Sequence, residues 1–95
     1  MASTDRSVSQ IRVQYWAAAR AEIGTASEEY ELAGGSVADV LTLIQERHPE
    51  KDRLPALLGV CSYLVGDRPV GPSQAADTPI HPGDTLEVLP PFAGG

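Results

Sequence analysis

The strongest constraint on this chain lies between Ser36 and Arg47, where Val37, Val40, Leu41 and Ile44 recur at i, i+3, i+4 and i+7. That spacing puts them on one side of an α-helix, with Asp39, Thr42, Gln45 and Glu46 on the other. Ser36 and Asp39 fit the S-x-x-[DE] pattern of a helix start, and Gly34 and Gly35 supply a turn before it. Burying each aliphatic side chain is worth roughly 1.5 to 3 kcal/mol against about 1 kcal/mol for the Ser36 cap, so packing dominates this helix. The stripe needs a surface to cover, and the surrounding segments read as strands of a sheet. Pro49 disfavours helical backbone at His48, which ends the helix and leaves His48 as a solvated terminal residue.

The strand patterns lie on both sides of that helix. Ile11, Val13 and Tyr15 alternate with Arg12, Gln14 and Trp16, the period of a strand with one face in the core. Ala17 to Ile23 is short, Ala-rich and closed by Gly24, which suits one helical turn or a loop. A second strand is expected from Glu28 to Leu32 with Tyr30 and Leu32 inward, and a short second helix from Leu54 to Leu58. Cys61, Tyr63 and Val65 then alternate as a third strand. Gly66 to Val70 reads as a turn and brief return strand, and His81, Pro82, Gly83 and Asp84 as a turn before a final strand, Thr85 to Leu89. This is an α+β arrangement, a mixed sheet with one main helix across one face. Residues 1–10 read as a polar mobile leader, 11–89 as the folded domain, and 90–95 as an extended, flexible tail.

With 95 residues and 42% hydrophobic content, one core is the expectation. A net charge of −6 disfavours nucleic acid as a partner, because phosphate binding needs clustered Lys and Arg. A basic protein surface fits better. No apolar run approaches the roughly 20 residues of a membrane helix and no signal-peptide pattern opens the chain, so no membrane role and a cytoplasmic location are expected. Cys61 is the single cysteine, and with His48 and His81 isolated, no metal site and no bound cofactor are expected. Cys61 reads as a small buried hydrophobe. The acidic pairs Glu28 with Glu29 and Glu50 with Asp52 read as solvated surface.

The closing segment, Pro90-Pro91-Phe92-Ala93-Gly94-Gly95, contains no polar residue. Prolines stiffen the exit from the last strand, while Gly94 and Gly95 lack Cβ atoms and make a slender tip. Six extended residues reach about 20 Å, enough to deliver a terminal carboxylate into another protein's pocket.

Three segments resemble one family: Val13 to Gly24, with a hydrophobic strand, an arginine-containing turn and a glycine; Ser36 to Leu41, where the family's helix begins; and Gly83 to Gly95, with a Gly-Asp turn, a strand, two prolines and a diglycine end. They are similar to the small subunit of molybdopterin synthase and its relatives, the ubiquitin-like sulfur carriers of the β-grasp fold. The chain departs from that pattern at Gly66-Asp67, where Asn-Gly is frequent, and at Leu89, where an aromatic is common. The resemblance implies that a ubiquitin-activating-like adenylating enzyme uses ATP to activate Gly95. A sulfur donor then converts the acyl-adenylate to a thiocarboxylate. The tail, with Gly94 and Gly95 at its tip, would enter the large synthase subunit and supply sulfur to a pterin precursor, making this chain a carrier rather than an enzyme. Thiamin-pathway or cysteine-pathway sulfur carriage remains open, as does a plain β-grasp binding module or a modifier conjugated to lysines.

If the first and last strands are parallel neighbours, as this fold implies, alternation puts Trp16, Leu64 and Leu89 on the face opposite the helix. They are expected to form an exposed apolar patch that meets the activating enzyme and the large subunit, with Arg20 at its edge. Pro90, Pro91, Phe92 and Ala93 would extend that contact along the tail, with Phe92 as its anchor.

Overall fold

The alternation at the start of the chain becomes strand β1 (Gln10–Tyr15), with Ile11, Val13 and Tyr15 buried. The computed structural model describes residues 10–91. The strand starts at Gln10, one residue before the expected domain start, because the Gly83 amide donates to the Gln10 carbonyl at 2.8 Å and holds it in place. Ala17 to Ile23 is a full helix, α1, which buries Ala19 and Ile23. Gly24 ends it with φ 97, a left-handed conformation that costs glycine nothing, and its N–H donates to the Arg20 carbonyl at 2.8 Å.

Strand β2 (Ser27–Glu31) pairs antiparallel with β1. A two-residue strand, β3 (Gly35–Ser36), then leads into helix α2 (Val37–Arg47). The capping box forms as expected: Ser36 Oγ accepts from the Asp39 amide at 3.2 Å, and Asp39 Oδ2 accepts from the Ser36 amide at 2.8 Å. Val37, Val40 and Ile44 are completely buried and Leu41 partly so, in one cluster with Ile11, Val13, Tyr63, Leu86 and Val88. Helix α3 (Leu54–Val60) runs two residues beyond the expected segment. Cys61 caps its end and is buried there, so it precedes β4 (Ser62–Val65) instead of opening it. Strand β5 (Arg68–Val70) returns beside β4.

A 3-10 helix (Pro72–Asp77) and strand β6 (Pro79–Ile80) precede the last strand, β7 (Thr85–Leu89). The 3-10 helix and the pairing of β6 with β3 carry no periodic signal and were not expected from sequence. The main sheet has the order β2-β1-β7-β4-β5, with β1 and β7 parallel and every other neighbouring pair antiparallel. The helices cover one face of this mixed sheet, and the described residues leave the other face open.

Candidate functional site

Parallel pairing of β1 and β7 decides where the functional residues meet. The register matches Gln14 with Glu87 and Tyr15 with Val88, and the Trp16 amide donates to the Val88 carbonyl at 3.2 Å. Both strands therefore end at the same side of the sheet. Trp16, the start of α1 and the segment after Leu89 converge there. The turn into α1 places Ala17 at φ 48, a left-handed backbone that costs a Cβ-bearing residue about 1 kcal/mol or more. This abrupt turn buries Tyr15 on the helix-covered face and leaves the adjacent Trp16 45% exposed.

Trp16, Leu64 and Leu89 lie on the open face as expected, and alternation with buried Tyr63, Leu86 and Val88 confirms their side. Leu64 and Leu89 are half-buried, so Trp16 contributes most of the exposed apolar surface. Arg20 is exposed one helical turn after Trp16. It borders two recesses beside the strand ends. One of about 210 Å³ also touches Gln14, Trp16 and Ser27, and an open one of about 800 Å³ touches Ala17, Gly24 and Thr25. Arg20 is the charged side chain in each lining and makes no ion pair among the described residues.

The two prolines differ: Pro91 is exposed, whereas Pro90 is buried where the chain leaves β7. Phe92, Ala93, Gly94 and Gly95 lie outside the described residues.

Sequence reading missed Glu87. It occupies the middle of the open face on the central strand β7, flanked in register by Gln14 on β1 and Leu64 on β4. Trp16 Nε1 donates to Glu87 Oε1 at 3.1 Å. The patch is thus an indole and a carboxylate joined at the centre, with leucines around them, and not a purely apolar surface. Period-two alternation from Leu89 already places Glu87 on this face, and that signal was available.

A second group of titratable side chains lies on the helix-covered side at the sheet edge. Glu28 was expected as solvated surface, yet its side chain is only 12% exposed. It accepts hydrogen bonds from Tyr15 at 2.8 Å and Tyr30 at 2.7 Å, and His48 Nε2 lies 2.9 Å from its other oxygen. A carboxylate only accepts, so that His48 nitrogen carries the proton. His48 is likewise corrected from a solvated end residue to a partner of Glu28, with 14% side-chain exposure. Arg47 stacks over Tyr30 with its guanidinium carbon 3.9 Å from the ring centroid, and donates to the Glu29 carbonyl at 3.0 Å.

Burial alone would raise the Glu28 carboxyl, but the hydrogen bonds from Tyr30, Tyr15 and His48 outweigh it and hold the group below the usual carboxylate value. The same contacts act in reverse on the phenols. Burial, then the bond to Glu28, pushes Tyr15 well up and Tyr30 up to about 12. Glu28 is met by three side chains of its own chain, and among the described residues no buried side-chain polar atom lacks a partner. The cluster ties the edge strand to the end of α2.

Burial pushes the Cys61 thiol up to about 11, and its Sγ–H donates to the Leu57 carbonyl at 3.1 Å, so no reactive thiolate forms there. Among the described residues no group of His, Cys, Asp and Glu could hold a metal ion, and no helix is long and apolar enough to cross a membrane.

Three solved structures share this architecture. The protein of Pyrococcus furiosus assigned as molybdopterin converting factor, subunit 1, is 26% identical, with a TM-score of 0.68 over 87% of this chain and 98% of that one. Small archaeal modifier protein 1 of Methanosarcina acetivorans is 19% identical, with a TM-score of 0.69 over 92% and 97%. A chain from the complex of subunits 1 and 2 of molybdopterin-converting factor from Helicobacter pylori is 23% identical, with a TM-score of 0.61 over 90% and 99%. A search of curated proteins found no match. The likenesses establish a β-grasp fold, and the ThiS family model matches residues 13–95, nearly the whole of the folded chain and its diglycine; the chain belongs to the ThiS family.

Proposed function

We propose that this chain is the sulfur-carrier small subunit of a molybdopterin synthase and that Gly95 bears the sulfur. The observation that carries the reading is the geometry of the exit. Parallel β1 and β7 put Trp16, Arg20 and the start of the Pro-Pro-Phe-Ala-Gly-Gly segment at one end of a sheet face that the described residues leave uncovered. A partner seated on that face would meet the chain where it leaves β7. Family membership over residues 13–95 and the likeness to a molybdopterin converting factor subunit support the same reading.

A C-terminal carboxylate has a pKa near 3.5, is anionic at neutral pH and is a poor acceptor for nucleophiles. Activation comes from a separate adenylating enzyme. A carboxylate oxygen attacks the α-phosphate of ATP, pyrophosphate leaves, and the resulting acyl-adenylate loses AMP to a sulfur nucleophile. The thiocarboxylate then gives its sulfur to a pterin precursor inside the large subunit, whose residues do the bond making. This chain supplies positioning and the sulfur atom. It binds no cofactor, and ATP belongs to the activating enzyme, all within the cytoplasm.

The test is intact mass after incubation with a matching adenylating enzyme, ATP and a sulfur source, beside a chain lacking Gly95. An oxygen-for-sulfur mass increase confined to the full-length chain is expected. Absence of both adenylate and thiocarboxylate with several activating enzymes would sink the proposal and leave a binding module. Transfer of the chain onto lysines of other proteins would favour a modifier, and sulfur delivery to thiazole or cysteine synthesis would move the same chemistry to another pathway.

A further inference from the structure

We infer that Glu87 and Trp16 form a joint receptor for an arginine side chain on the protein that covers the open sheet face, and that this arginine selects the partner. The inference rests on the small-subunit reading and specifies the chemistry of its partner.

Three observations carry it. Glu87 lies on the central strand of the sheet, so a protein seated on this face covers it instead of leaving it at a wet rim. Its neighbours in register are Gln14 and Leu64, and the nearest cation on β1, Arg12, is engaged by Glu29 at 3.1 Å. Among the described residues Glu87 forms no ion pair, and its hydrogen-bond partner is the neutral indole N–H of Trp16. One indole donor uses a fraction of the acceptor capacity of a carboxylate. Closing a partner over this charge without an opposite charge would leave it desolvated and uncompensated, a strongly unfavourable outcome.

The geometry favours arginine over lysine as the compensating group. A guanidinium is planar, meets a carboxylate with paired N–H donors and stacks on aromatic faces, whereas an ammonium is a compact, strongly hydrated charge. The hydrogen bond from Nε1 fixes the indole edge against Glu87, and Trp16 is 45% exposed beside that carboxylate. An arginine entering there bonds Glu87 and stacks on Trp16 together. The net charge of −6 steers any basic surface towards this protein, but it does not say where the cation sits. Glu87 does.

The experiment measures association and dissociation rates between this chain and the molybdopterin-synthase large subunit from the same genome, for wild type, Glu87→Gln and Glu87→Arg. Glutamine keeps the shape and the acceptor for Trp16 Nε1, so it removes charge alone. Thermal melts of each variant verify the fold. Glu87→Gln should weaken binding by about tenfold or more, chiefly through faster dissociation, as expected for a buried charge pair and not for a rim charge. Glu87→Arg should bind still less, and an Arg→Glu change at the facing position of the large subunit should restore it. Equal or tighter binding by Glu87→Gln, with wild type binding normally, overturns the inference alone. Failure of wild type to bind the large subunit overturns the small-subunit reading and the inference with it, and thiocarboxylate formation followed by intact mass shows whether sulfur carriage survives that failure.

Discussion

Glu28 and Glu87 are half-buried carboxylates on strands of one sheet, and they differ in who answers them. Glu28, on the edge strand and facing the helices, is met by Tyr15, Tyr30 and His48, with Arg47 Nη1 at 4.0 Å. Glu87, on the central strand and facing outward, is met by Trp16 alone among the described residues. The neighbouring residues Tyr15 and Trp16 divide the same way, one 2% and the other 45% exposed. Where the chain surrounds a charge with its own donors, that charge fixes the fold. A charge at the centre of an open face keeps acceptor capacity that its own chain does not use.

The largest effect should come from emptying the inner cluster. Glu28→Ala leaves the phenols of Tyr15 and Tyr30 and the ring nitrogen of His48 without their acceptor. Hydrogen bonds to a charged group and orphaned buried donors together make a loss of about 3 kcal/mol the expectation. It is read from the shift in urea midpoint at unchanged m. A loss below about 1 kcal/mol would mean the cluster is an ornament of the fold, and the contrast with Glu87 would collapse.

On the open face the expected order is reversed. Trp16→Ala should cost about 1 kcal/mol of stability, less than Glu28→Ala, since nearly half of Trp16 is already exposed. It should weaken binding to the large subunit by about 2 kcal/mol, the scale of an aromatic anchor at an interface centre, measured by titration calorimetry. Trp16→Glu should abolish binding with the fold intact. If either variant unfolds the protein, Trp16 is a structural residue and the open face loses its main exposed anchor.

Acid weakens the inner cluster more gently than truncation, because protonation removes only the part of the Glu28 contribution that depends on its charge. The Glu28 carboxyl is held below the ordinary value of 4.5 in the folded state, so its contribution is present above that pH. The contribution is lost as pH falls through the lowered folded value. Wild type should therefore lose stability on acidification below about 4.5 more steeply than Glu28→Gln does, in urea titrations across that range. Parallel curves would mean that the donors around Glu28 do not favour its charged form.

Much of the frame was legible because it is periodic. Ile11, Val13 and Tyr15 declared β1, Ser36 and Asp39 declared the start of α2, and Thr85 to Leu89 matched β7 without adjustment. The inner cluster was legible only in part. Tyr30 and Leu32 facing inward already require Glu28 to face inward too, but reading Glu28 with Glu29 as a solvated pair hid this. His48 gave no local sign, because its partner lies 20 residues away and only the packing of α2 against β2 brings them together. Glu87 and Trp16 are 71 residues apart, and their bond follows from the parallel register of β1 and β7, which alternation locates only to a face. The tail is legible as composition and its chemistry as resemblance. Pro90 shows the limit of that reading, since adjacent prolines have one exposure pattern in sequence and two in the fold.

The smallest effect is the most discriminating. Glu87→Gln should change the stability of the isolated chain by no more than about 0.5 kcal/mol, and in the direction of gain. The substitution keeps an acceptor for Trp16 Nε1, removes no cation pair, and lowers the magnitude of the net charge from −6 towards neutrality, which reduces self-repulsion. Any gain should shrink as salt rises, because exposed charges are screened within about 10 Å at 0.1 M ionic strength. Paired thermal melts at low and high salt make the measurement. A salt-independent loss would mean that Glu87, like Glu28, is engaged by its own chain, and a carboxylate already spent on the fold has nothing to offer a partner's arginine.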